Sequence, residues 1–106
     1  MKTTNLILLT IIAEDELESR LIGDLKHLGV RGYTVCTVRG EGCHGLRTSQ
    51  WEGGNIKIEV IVDSALADVI GEHVANTYFP NFATILYLTP VQVLRQEKFT
   101  GPGHLE

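Results

Sequence analysis

The stretch NIKIEVIVDSALADVIGEHVANTY, residues 55–78, contains a strand, a helix start and a helix in direct succession. Residues 56–62 first alternate between apolar and charged side chains and then become wholly apolar, which is typical of a strand with one partly accessible face. Asp63 or Ser64 predicts the N-cap of a helix that continues to about Tyr78. We expect the inner face of this helix to carry the side chains at helical spacing, Leu66, Val69, Ile70, His73 and Val74.

The alternation of strands and helices extends outward in both directions. The further predicted elements are a strand over 5–12, a helix over 14–28, a strand over 33–38, a strand over 83–88 and a short helix opened by Pro90 through Leu94. Gly29 is a fitting end for the first helix. The order β-α-β-β-α-β predicts an α+β, ferredoxin-like fold with both helices on one face of an antiparallel sheet. The other face is then a natural surface for oligomerisation.

Composition narrows the class of protein before any site is considered. The chain has 106 residues with 13 acidic and 9 basic side chains, a net charge of −4. A chain of this length forms one domain, and its acidic balance disfavours broad nucleic-acid binding. Two cysteines and the absence of an apolar run of membrane-spanning length argue against a disulfide scaffold and a membrane protein. We expect a cytoplasmic domain with reduced thiols.

Residues 40–54 interrupt the periodic pattern and hold five glycines. We read a long flexible loop, a class that tends to be functional or disordered. Residues 31–57 carry four basic and two acidic side chains, a local excess of +2. Arginines among glycines suit phosphate recognition, because glycine lets backbone N–H groups approach an anion and arginine donates two parallel hydrogen bonds. The alternative is a mobile surface hairpin whose arginines are solvated.

Several segments together resemble the PII signal-transduction proteins. GYTVCTVRGEG, residues 32–42, is similar to their second strand and loop entry, and NIKIEV, residues 55–60, to the strand that returns from their T-loop. VQVLR, residues 91–95, resembles their C-terminal stretch. FTGPG, residues 99–103, and Tyr78-Phe79 look more like the PII-like subgroup associated with carboxysomes and bicarbonate transporters.

The resemblance implies a single PII-like domain over residues 1–106 that assembles as a homotrimer. Residues 40–54 would be a T-loop-like segment and residues 95–106 a C-terminal tail. Adenine nucleotide, ADP or AMP before ATP, would bind as an effector in clefts between subunits, with bicarbonate as a second ligand. The chain would act as a non-enzymatic sensor without a resident cofactor, read by a bicarbonate transporter or another carbon-uptake component.

The resemblance also assigns individual positions. Thr34 and the Ile61 backbone would line the adenine and ribose end of the cleft, while Arg47 and Arg95 would meet phosphate. Apart from the resemblance, Glu59 faces the same side of its strand as Lys57, which predicts either an ion pair at a subunit contact or a role in orienting loop residues. The further positions implied are Gly40, Glu41, Gly42, Cys43 and His44 near the phosphates, Ala83 and Thr84 before the last strand, and Phe99, Thr100 and Gly101 over the bound ligand.

Departures from the family pattern refine this expectation. Only 14 residues separate Gly42 from Lys57, and the loop holds no tyrosine, so the tyrosine modified in some PII proteins is absent. A nitrogen-signalling role is therefore disfavoured. Residues 81–84 replace the lysine-containing phosphate loop that precedes the last PII strand, and the loss of that lysine favours AMP, ADP or a cyclic nucleotide over ATP.

Other readings stay open at this point. Slow nucleotide hydrolysis would need Glu41, Glu52 or Glu59 as a base, and a CutA-like metal-responsive trimer would use Cys43 and His44. The default for Cys36 is a small core residue, and for His73 a packed, hydrogen-bonded histidine. Trp51 is either an anchor of the loop or a contact for a partner.

Overall fold

A computed structural model describes residues 1–40 and 54–99 of the chain. The elements are β1 (Thr4–Glu14), α1 (Glu18–Leu28), β2 (Thr34–Val38), β3 (Asn55–Val62), α2 (Ser64–Thr77) and β4 (Ile85–Val93), with 3-10 turns at Asp15–Leu17 and Gln96–Lys98. The predicted order of elements is confirmed. Across these two segments, neither helix is long and apolar enough to cross a bilayer.

The four strands form one sheet in the order β2-β3-β1-β4, and every neighbouring pair is antiparallel. β1 therefore lies inside the sheet between β3 and β4, although β3 and β4 follow it in sequence. This is the split arrangement of the ferredoxin-like fold, so the predicted α+β class is confirmed. β2 and β4 are the edge strands.

The helix boundaries follow from local chemistry. The Asp63 side chain caps α2 by accepting a hydrogen bond from the backbone N–H of Leu66 at 2.8 Å. Gly29 ends α1 with a φ of 112°, in the left-handed region that favours glycine. The helix predicted from residue 14 begins instead as a 3-10 turn, because β1 continues two residues beyond the predicted strand end.

One face of the sheet and both helices share a single core. Leu9, Ile11 and Ala13 of β1 alternate with residues that point to the other face, as the two-residue period of a strand requires. The other core side chains of the sheet and helices are Leu17, Leu21, Leu25, Ile56, Ile58, Val60, Val62, Ala67, Ile70, Val74 and Tyr78. Both helices therefore cover the same face, as predicted.

The end of the chain corrects the prediction for Pro90. No helix opens there, because β4 continues through Pro90 to Val93, and Pro90 lies opposite Ile7 of β1. Proline is tolerated since β4 is an edge strand whose outer side needs no backbone donor. The predicted strand over 83–88 is accordingly shifted, and the next helical turn is the 3-10 turn at Gln96–Lys98.

Two predicted core positions are also wrong. Cys36 is exposed, because it lies on edge strand β2 and points to the face without helices. Val69 is exposed by 48%, whereas Ala67 and Ile70 face the core. The inner face of α2 is thus rotated from the predicted stripe and is formed by Ala67, Ile70 and Val74.

A polar cluster joins the two helices at their outer seam. The Tyr78 hydroxyl donates to Oδ2 of Asp24 at 2.5 Å, and Nε2 of His73 lies 2.9 Å from the same oxygen. The Arg20 guanidinium stacks on the Tyr78 ring, 4.8 Å from its centre. His73 is therefore the packed, hydrogen-bonded histidine that the sequence predicts.

This cluster shifts the titration of its two acids. Burial of Asp24 opposes ionisation, but the hydrogen bonds from Tyr78 and His73 and the positive charges of His73 and Arg20 outweigh burial, so the pKa of Asp24 lies below its ordinary value. Burial and the hydrogen bond to Asp24 raise the pKa of Tyr78 far above its ordinary value. The pair is thus a carboxylate and a neutral phenol.

Candidate functional site

A groove of about 1010 Å³ opens at one end of the sheet. Its walls are the connection from α1 to β2, the first residue of β2, the last half of β3 and the tail that follows β4. Five residues assigned from the family resemblance line it: Thr34, Glu59, Ile61, Arg95 and Phe99. The fold thus brings together side chains that are up to 65 residues apart in the sequence.

Strand register sets the floor of the groove. Thr34 of β2 lies directly opposite Glu59 of β3, and Ile61 of β3 lies opposite Leu8 of β1. All four side chains point to the face of the sheet that the helices leave uncovered. Lys57 is two residues from Glu59 on that face, and their charged groups are 3.8 Å apart. The predicted Lys57–Glu59 ion pair is therefore present within one chain.

The groove has a positive balance. Among the residues described, its lining holds four cationic side chains, Lys26, Arg31, Arg95 and Lys98, against one carboxylate, Glu59. Arg95 lies 3.6 Å from Glu97, but both side chains are about two-thirds exposed or more, and such a surface pair contributes little. An anion entering the groove would thus meet several donors, while Glu59 offers an acceptor at the strand end.

The lining residues that were not predicted as site residues include Lys26, Arg31 and Tyr33. Lys26, at the end of α1, places its ammonium 5.8 Å from the centre of the Tyr33 ring, and Arg31 lies between them on the connection. The sequence signal for them was weak, because the stretch 31–57 was noted for its charge, Tyr33 adds no charge to it, and Lys26 lies outside it. Their convergence with the C-terminal tail depends on tertiary structure.

The structure does not bring all predicted residues to this groove. Gly40 follows β2 at the opposite end of the sheet, where β1 ends and β4 begins. Ala83 and Thr84 lie at that same end, and the Ala83 N–H donates to Oε2 of Glu14 at 3.4 Å. Thr84 is buried. Within one chain, the predicted site is therefore divided between two ends of the sheet.

The base of the predicted loop is fixed at this second end. The Asp15 N–H donates to the carbonyl of Gly54 at 3.0 Å, and the Gly54 N–H donates to Oδ2 of Asp15 at 3.1 Å. This pair of bonds holds the start of β3 against the end of β1.

Several predicted positions lie outside the described residues and stay predictions. They are Glu41, Gly42, Cys43, His44, Arg47, Glu52, Trp51, Thr100 and Gly101. Over residues 1–40 and 54–99, no group of three or more His, Cys, Asp or Glu side chains is close enough to hold a metal ion. The metal-responsive alternative thus gains no support from that part of the chain.

Comparison with known proteins agrees with this geometry. A PII-like signalling protein of Thermus thermophilus matches with a TM-score of 0.81 and 44% identity, over 94% of this chain and 100% of that one. CPII of Thiomonas intermedia K12, solved with ADP and bicarbonate, matches with a TM-score of 0.81 and 27% identity, over 93% and 98% of the two chains.

A further CPII structure, bound to ADP, AMP and acetate, gives a TM-score of 0.82 and 26% identity over 93% and 98% of the chains. The sequence profile of the family described as nitrogen regulatory protein P-II matches residues 6–98. That match spans all four strands, both helices and the groove-lining tail to Lys98, so the chain belongs to the P-II family and is PII-like.

Proposed function

We propose that this protein is a regulatory sensor that binds an adenine nucleotide, ADP or AMP, in the groove beside Thr34. The observation that carries the proposal is the convergence of Thr34, Glu59 and Ile61 with the cationic tail at Arg95 and Lys98. A nucleotide needs both parts, since its base requires polar and apolar contacts and its phosphates require cations. The related CPII is described with ADP and AMP bound, which supports this ligand class.

The divided site favours binding between subunits of a homotrimer. Gly40 lies about 20 Å along the strands from Thr34, and Thr84 lies about 10 Å from the level of Glu59, given the rise of about 3.3 Å per residue. In the same chain, these residues belong to the end of the sheet opposite the groove. A neighbouring chain would bring its own copies of these residues to the groove. The trimers formed by PII-like proteins support this arrangement.

Bicarbonate is the proposed second ligand, and inorganic-carbon and energy state the proposed signal. CPII is described with ADP and bicarbonate together, which supports a joint site. The groove has cations enough for a nucleotide phosphate and a further small anion. Signalling would follow from population shift: ligands that contact the 40–54 loop in one arrangement stabilise that arrangement. A carbon-uptake component such as a bicarbonate transporter in the cytoplasmic membrane would read the loop.

This role requires no chemistry on the nucleotide. Glu59 pairs with Lys57 and serves as an acceptor for the ligand, so we give it no task as a catalytic base. The nucleotide is an exchangeable effector and not a resident cofactor.

Titration calorimetry with AMP, ADP, ATP and cyclic AMP, each with and without bicarbonate, tests the proposal. We expect saturable binding of ADP or AMP that bicarbonate tightens. Arg95→Ala should weaken ADP binding by roughly 10- to 100-fold, since a charged hydrogen bond contributes about 1.5–3 kcal/mol. Lys2→Ala is the matched control, because it removes an exposed cation outside the groove.

The outcomes separate the parts of the proposal. No saturable binding of any of the four nucleotides contradicts the sensor function. Equal ADP affinity of Arg95→Ala and Lys2→Ala shows that Arg95 does not contact the ligand. ADP binding that bicarbonate leaves unchanged removes the carbon signal and retains the nucleotide sensor.

A further inference from the structure

Four polar side chains lie side by side across the sheet face that the helices leave uncovered. Strand register places Thr34 opposite Glu59, Glu59 opposite Thr10, and Thr10 opposite Tyr87. Each of the four strands contributes one member. Directly opposed residues have Cβ atoms about 5 Å apart, so these side chains form a continuous line. We call Thr34, Glu59, Thr10 and Tyr87 the polar row.

The surroundings of the polar row are mainly apolar. The same face carries Leu8 and Ile12 of β1, Ile61 of β3, and Ile85 and Val91 of β4. Ile85 is 52% exposed and Tyr87 is 45% exposed. An apolar surface of this kind marks a contact with another molecule. The polar row is then a line of hydrogen-bonding groups within that contact.

The centre of the polar row is buried but unsatisfied. Thr10 is only 1% exposed, and its hydroxyl has no hydrogen-bond partner among the described residues. Leaving a buried hydroxyl without a partner costs free energy. Its two direct neighbours, Glu59 and Tyr87, both end in groups that can bond to it. A shift of either side chain when a partner packs on this face would satisfy Thr10.

Two members of the polar row are chemically complementary. Tyr87, on edge strand β4, supplies an O–H donor, and the carboxylate of Glu59, beside the opposite edge, is an acceptor. The Glu59 carboxylate can accept a further hydrogen bond beside its pair with Lys57, so it can receive the Tyr87 hydroxyl of a second copy. Donor and acceptor lie on different strands of the sheet, so the contact is head to tail, and such contacts form a ring where the rotation between copies closes.

We propose that the polar row sets the register of self-association, with the Tyr87 hydroxyl of one copy donating to Glu59 of the next. Glu59 lines the nucleotide groove, so a second copy would place Tyr87 at the wall of that groove. The inference rests on the homotrimer of the proposed function and does not depend on nucleotide binding. The occupant of the face is thus a second copy of the chain.

The test is a double-mutant cycle on assembly, measured without nucleotide. Sedimentation with fluorescence detection, from nanomolar to micromolar chain, gives the dissociation constants of wild type, Tyr87→Phe, Glu59→Gln and the double variant. Tyr87→Phe should weaken each contact about tenfold or more, as expected for loss of a hydrogen bond to a charged group. The double variant should lose little beyond either single variant, because both remove the same bond.

Thr89→Val is the matched control, because Thr89 is exposed on the same face and strand, outside the polar row. It should assemble like wild type. The proposed role of the polar row would be overturned if the losses of affinity in the two single variants multiplied in the double variant. It would also be overturned if Tyr87→Phe assembled as tightly as Thr89→Val. A wild-type chain that is monomeric throughout would overturn it as well. Nucleotide titration then judges the sensor function separately.

Discussion

The two faces of the sheet differ in how their apolar side chains are covered and in how their polar groups are hydrogen-bonded. On the helix-covered face, Ile11 and Ile58 are fully buried, and the buried Tyr78 donates its hydroxyl to Asp24. On the uncovered face, Tyr87 and Ile85 are about half exposed, and the buried Thr10 hydroxyl has no partner among the described residues. Alternation along β1 supplies both faces from adjacent residues.

This difference shows which face of the sheet is satisfied within one copy of the chain and which face requires a second copy. On the helix-covered side, apolar side chains are buried and Asp24 is hydrogen-bonded within one copy of the chain. This side therefore stabilises the subunit. The uncovered face leaves apolar groups and a polar row for a second copy, and it carries Glu59 into the groove. Function in this account is therefore a property of the uncovered face.

The largest contrast should come from two neighbouring isoleucines. Ile11→Ala removes a fully buried side chain and should lower the free energy of unfolding by about 2–5 kcal/mol. Ile12→Ala makes the same change on the uncovered face and should act mainly on assembly. Urea unfolding at several chain concentrations checks this. Equal effects of the two variants at every concentration would erase the distinction between the faces.

Tyr78→Phe probes the helix seam. It keeps the buried ring and removes the hydroxyl that donates to Asp24, so it should cost about 1.5–3 kcal/mol of unfolding free energy. Tyr33→Phe is the control, since Tyr33 is 41% exposed on the α1–β2 connection and should change stability little. Chemical denaturation that gives the same midpoint for both would show that the seam adds no stability.

A smaller effect should appear in acid. The pKa of Asp24 is lower in the folded chain than in the unfolded chain, where it is about 3.9. The resulting stabilisation is therefore complete above about pH 3.9 and is lost as the pH falls through the pKa of Asp24 in the folded chain. Wild type should therefore lose more stability than Asp24→Asn below about pH 4. Asp68→Asn, at an exposed position, should follow wild type. Parallel acid profiles of wild type and Asp24→Asn would contradict this.

The smallest effect should come from Cys36→Ser. Cys36 is exposed on β2, so the exchange should change unfolding free energy by no more than about 0.5 kcal/mol. A large loss of stability in Cys36→Ser would mean that the thiol is packed after all.

Local signals predicted most of the fold. Gly29 and Asp63 mark helix ends through backbone and side-chain chemistry that needs no tertiary context. Position within the sheet has no such local signal. Pro90 was wrongly predicted to open a helix, because an edge strand accepts proline. Cys36 was wrongly predicted to lie in the core, because the sequence does not say which strand is an edge. These errors arose where tertiary placement decides.

The site was predicted less completely, for a related reason. Thr34, Glu59 and Arg95 were assigned because segments resembling PII proteins carry them, and the groove contains all three. Lys26 and Tyr33 were missed, since they reach the groove only through the turn after α1. Ala83 and Thr84 lie at the other end of the sheet, which no local pattern indicates.

Native mass spectrometry of the chain with ADP tests most directly whether the groove is completed by a neighbouring copy. We expect trimers that carry up to three ADP molecules and monomers that carry none. Monomers that bind ADP as well as trimers do, or trimers that bind no ADP, would contradict it.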